Sequence, residues 1–116
     1  MRAILLSALA LGFGVLATPT RAQADINNGQ GYIYCELLDS GDAKSAYYTG
    51  IFPGDISNST RISLDFTRYV EAHYPNPIGV ADCTWEEERS SAQDRKQSDV
   101  SGSTGIYRIV ETGWSE

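Results

Sequence analysis

The sequence predicts a small single α+β domain of ββαβαβ order, with an antiparallel-rich sheet, two helices on one face and one disulfide. Three observations carry that expectation. Apolar and aromatic residues alternate with period two in four short runs, and recur at helical spacing in one longer stretch. Clusters of proline, glycine and small polar residues separate these runs. The two cysteines, Cys35 and Cys83, each fall inside a strand-like run.

Residues 1–24 read as a secretory signal peptide. Met1-Arg2 is a basic start, Ala3 to Ala17 an apolar run, and Ala22-Gln23-Ala24 a small-x-small exit. The apolar run is about 15 residues, short of the roughly 20 that cross a bilayer as a helix. Cleavage after Ala24 leaves one domain over 25–116, with no stable membrane insertion. The Ala/Leu-rich leader points to a bacterial protein, periplasmic or secreted. Without Arg2 and Arg21 the chain carries seven basic against fifteen acidic residues, a net charge of −8. That field repels phosphate backbones and anionic headgroups, so no nucleic acid is expected as a partner. It serves solubility, and it suits a cationic partner.

The first strand is expected over Tyr32–Leu38, with Ile33, Cys35 and Leu37 on one face and Tyr32, Tyr34, Glu36 and Leu38 on the other. Asp39 to Ser45 is a turn cluster, and Ala46–Phe52 is a second strand that pairs back as a hairpin. Ser57-Asn58-Ser59-Thr60 offers helix caps. Ile62, Phe66, Tyr69, Val70 and His73 then form one helical stripe, which Tyr74-Pro75-Asn76-Pro77 must end.

Ile78–Trp85 is the third strand, with Ala81, Cys83 and Trp85 sharing a face. Thr84-Trp85-Glu86-Glu87 matches a capping box, so a second helix is expected from about Glu86 to Val100. Glu86, Glu87 and Glu88 would then favour its amide end rather than converge on a metal. That helix carries only Ala92 and Val100 as aliphatic residues, which predicts shallow packing. Ser101 to Gly105 is a connector and Ile106–Thr112 the last strand, with Gly113-Trp114 closing the domain.

Two cysteines in an exported domain predict a Cys35–Cys83 bridge. Closing a loop of that size contributes about 4 kcal/mol in the chain-entropy picture. The spacing is not Cys-x-x-Cys, and one histidine supplies too few soft ligands for zinc. No metal and no cofactor are expected. No motif marks a nucleophile, a phosphate loop or a zinc helix, so no catalytic residues are assigned and the enzyme question leans to no. His73 ends the helical stripe, where packing or capping explains it better than base catalysis.

The tyrosines of the strands, above all Tyr34 and Tyr48, with Trp114, are the candidate binding residues, because aromatic platforms suit sugars and proteins. The function expected is a small exported, non-enzymatic interaction domain for an envelope protein or cell-wall glycan. Two alternatives stand beside it: an inhibitor of a cationic enzyme, and a small hydrolase pairing His73 with a carboxylate such as Asp82 or Glu36.

Overall fold

The computed structural model describes residues 29–116. The expected signal peptide and its cleavage point lie outside the described residues. The strands are β1 (Gln30–Leu38), β2 (Ser45–Tyr48), β3 (Phe52–Asp55), β4 (Asp82–Glu86) and β5 (Arg108–Glu111); the helices are α1 (Ser59–His73) and α2 (Arg89–Ser103). They form an α+β domain with one mixed five-strand sheet and one disulfide.

β1 is the centre of the sheet. It pairs antiparallel with β2 and β3 along one edge and with β4 along the other, while β5 adds parallel to β2. Cys35 and Cys83 are direct register partners on β1 and β4, with Cα atoms 4.0 Å apart, so the bridge joins neighbouring strands.

The second expected strand is divided. Glu36 faces Tyr48 and Ile33 faces Phe52, so Thr49, Gly50 and Ile51 oppose only Tyr34 and Cys35. One extra residue makes a β-bulge. Thr49 holds it: its N–H donates to Cys35 O at 3.0 Å, and its Oγ1 accepts from Cys35 N–H at 2.8 Å. Gly50 N–H turns away and donates to Trp114 O at 3.1 Å.

α1 starts differently from the expected cap cluster. Asp55 accepts from Ser57 N–H and initiates a 3-10 turn over Ile56–Asn58 that runs into the helix. Asn58, at the N-cap itself, makes no side-chain cap bond. Ile62, Phe66 and Val70 are buried, and the helix stops where Tyr74 becomes extended before Pro75. They pack with Ile33, Cys35, Leu37, Tyr47, Phe52 and Ala81 as the main core.

The two helices lie on opposite faces of the sheet, not on one. Ile33, Cys35 and Leu37 meet α1, whereas the alternate residue Tyr34 meets Asp99 of α2. Topology supplies the reason. β3, β4 and β5 all run antiparallel to β1, so β3–α1–β4 and β4–α2–β5 are both parallel crossovers. The first carries the chain over β1 to the far edge, and the second carries it back. Crossovers of the same right hand in opposite directions put their helices on opposite faces.

The capping box at Thr84 does not form. Thr84, Trp85 and Glu86 pair with Tyr34, Ile33 and Tyr32, so the ladder keeps them in β4. α2 begins at Arg89, with Glu88 at the N-cap and no side-chain bond there.

Candidate functional site

The tyrosines chosen from sequence are not displayed. Tyr34 and Tyr48 are each 0% exposed, covered by α2. Tyr34 Oη donates to the Asp99 carboxylate. Tyr48 Oη donates to Glu36 Oε2 at 2.6 Å and lies 3.0 Å from Ser103 Oγ. Having one proton to give, Tyr48 spends it on the carboxylate and leaves the serine to act as donor. Burial first, then the carboxylate hydrogen bond, holds both phenols well above the usual tyrosine range. Glu36 is also raised, chiefly by burial and further by Asp99 and Asp82, against the Tyr48 bond that lowers it.

This network anchors a helix that has almost no apolar underside. Ala92 and Ser103 are its buried residues. Lys96 Nζ reaches down to Thr49 O at 2.7 Å and to Glu111 Oε1 at 2.8 Å, and Arg95 pairs with Glu86 at 2.7 Å. The tyrosines, carboxylates and lysine here are engaged with one another, and an open groove of about 460 Å³ lined by Ile51, Gln93, Lys96, Val100 and Glu111 flanks them.

Trp114, the third candidate, is structural in its contacts. Its ring lies 5.3 Å from that of Phe66 and 5.9 Å from that of Phe52, centroid to centroid, on the α1 side. His73 stacks on Tyr69 with centroids 4.1 Å apart, and its Nδ1 sits 2.8 Å from Tyr69 O. It therefore belongs to the α1 layer, while Glu36 belongs to the α2 face, and the structure does not bring the two together. Among the described residues, no group of three or more His, Cys, Asp or Glu is arranged to hold a metal ion. No described helix is long and apolar enough to cross a membrane.

The open chemistry lies at the end of β1. Here the β1–β2 loop meets the segment Pro75 to Val80 that follows α1. Asp39, 1% exposed, accepts from Gly41 N–H and Ile78 N–H through Oδ1, each at 2.8 Å. Ser40 N–H donates to Ile78 O at 2.9 Å. These bonds pin the two loops together, and Ala81 N–H donates to Thr67 Oγ1 of α1 at 2.9 Å.

On that pinned frame three aliphatic side chains face water: Leu38 at 36%, Ile78 at 61% and Val80 at 69% exposure. Asp42 and Asp82 are exposed beside them, and the ion pairs among the described residues involve neither. A groove of about 370 Å³ runs between the loops, lined by Asp39, Gly41, Asp42, Ala43, Pro75 and Ile78. Sequence reading missed this tip because Ile78 and Val80 fit a period-two strand. Their setting in Pro75-Asn76-Pro77-Ile78-Gly79-Val80, where prolines and a glycine resist laddering, was the available signal.

No protein-family model, no curated protein and no solved structure matches this chain.

Proposed function

We propose that the chain is a small non-enzymatic interaction domain, exported to the periplasm or the medium, which docks an envelope protein through the tip at the end of β1. The observation that carries this reading is the exposure of Leu38 at the end of β1 and of Ile78 and Val80 on the loop held to it by the Asp39 and Ser40 hydrogen bonds. Pinned apolar side chains bury against a partner with little loss of conformational freedom. A protein is favoured over a glycan because the strand tyrosines that would stack on sugars, Tyr34 and Tyr48, are covered. The unpaired Asp42 and Asp82 favour a basic partner, so inhibition of a cationic enzyme is a second reading of the same surface.

The test is capture from envelope extract of the native host, comparing the protein with its Ile78→Ser/Val80→Ser variant. A protein retained by the first and lost with the second is the expected result, and its identity would separate an envelope partner from a cationic enzyme. Equal retention by both baits rules out this surface.

A further inference from the structure

The floor of the tip groove is a carboxylate that the chain leaves half-satisfied. Asp39 is 1% exposed and lines the groove. Both of its N–H donors, from Gly41 and Ile78, go to Oδ1. Among the described residues Oδ2 has no hydrogen-bond donor, and no cation lies in salt-bridge contact with Asp39. Lys44, the cation nearest in sequence, is exposed, and its carbonyl accepts from Arg108 N–H on the β5 side. Oδ2 is not among the buried side-chain atoms left without a partner, so it opens onto the groove and can accept from a group that enters it.

The rest of the groove has the shape of a side-chain slot. Ala43, Pro75 and Ile78 supply apolar walls and Asp42 a second carboxylate at the rim. Gly41 keeps the slot open: a Cβ there would lie 3.0 Å from Asp39 Oδ1 and 3.3 Å from Ile78 Cδ1. At about 370 Å³ the volume is at the small end for ligand sites, which begin near 300 Å³.

We infer that this groove receives one basic side chain, arginine or lysine, from the protein partner. This rests on the docking surface proposed above and names what the partner must present. The aliphatic stem lies along Ala43, Pro75 and Ile78, and the charged head sits between Asp39 Oδ2 and the Asp42 carboxylate. Arginine fits better, because its planar fork can donate to two carboxylates at once.

The test is a titration of the isotope-labelled protein, followed by amide chemical shifts, with three probes. These are the peptide acetyl-Leu-Arg-Leu-amide, its neutral counterpart with citrulline in place of arginine, and calcium chloride. Saturable shifts at Gly41, Asp42, Ala43 and Ile78 are expected with the arginine peptide. Binding should be at least tenfold weaker with citrulline, and several-fold weaker in the Asp42→Asn protein. Equal binding of both peptides, no shifts at these amides, or a response to calcium alone overturns the assignment. The capture experiment separates the two proposals. Retention that survives Asp42→Asn but not Ile78→Ser/Val80→Ser keeps the docking surface and discards the basic side chain; retention indifferent to both variants discards both.

Discussion

Tyr34 and Tyr48 show how one residue type can be chosen well and read wrongly. Both lie on the β1 and β2 face that period-two geometry assigns them, yet each is buried with its hydroxyl on a carboxylate. Their phenol pKa is raised in the folded state above the ordinary value near 10. A raised folded value means that the stabilising contribution is complete below the unfolded pKa and is lost as pH climbs through the folded one. Ultraviolet titration should therefore show Tyr34 and Tyr48 staying neutral where free tyrosine ionises, then titrating together with unfolding. In denaturant all should titrate alike; a native curve matching the denatured one would remove the buried network. Glu36 carries the same sign at acid pH. Its contribution is full below the ordinary carboxylate value near 4.3 and fades as pH rises through its raised value.

At the scale of the element, the two helices are held by different forces. α1 buries Ile62, Phe66 and Val70 in the main core, a hydrophobic attachment of about 1.5–3 kcal/mol for each side chain. α2 buries Ala92 and Ser103 and depends on Asp99, Lys96 and Arg95 for its contacts with the sheet. Each such polar bond contributes only about 0.5–1.5 kcal/mol net, or somewhat more where a charge is involved. Local opening should reach α2 first. Hydrogen exchange under native conditions should show α2 amides losing protection at least tenfold faster than those of α1. Equal protection would mean that the two helices open only with the whole domain.

For the whole molecule, the disulfide is the main tie between distant parts of the chain. It links β1 to β4 across a sequence separation of 48 and lies beside the α1 core. The Cys35→Ala/Cys83→Ala protein should lose about 4 kcal/mol of unfolding free energy in a denaturant titration, as closure of a loop this long implies. A loss under about 1 kcal/mol would show that the ladder between β1 and β4 alone keeps the halves together.

The elements were legible because their causes are local. Alternation placed β1, the stripe of Ile62, Phe66 and Val70 placed α1, and Pro75 ended it. Two cysteines in strand-like runs identified the bridge. Where elements meet is a different matter. The helix faces depend on β4 joining the far edge of β1, and that strand order has no signature in any one segment. The bulge at Thr49, the loss of the Thr84 cap to the β4 ladder and the covering of Tyr34 by α2 all follow from pairings between residues far apart in the chain. The tip was hidden for the same reason. Alternation says which residues share a face, but only the packed sheet decides which of those faces reach water; it leaves Leu38, Ile78 and Val80 uncovered and draws Asp39 inside.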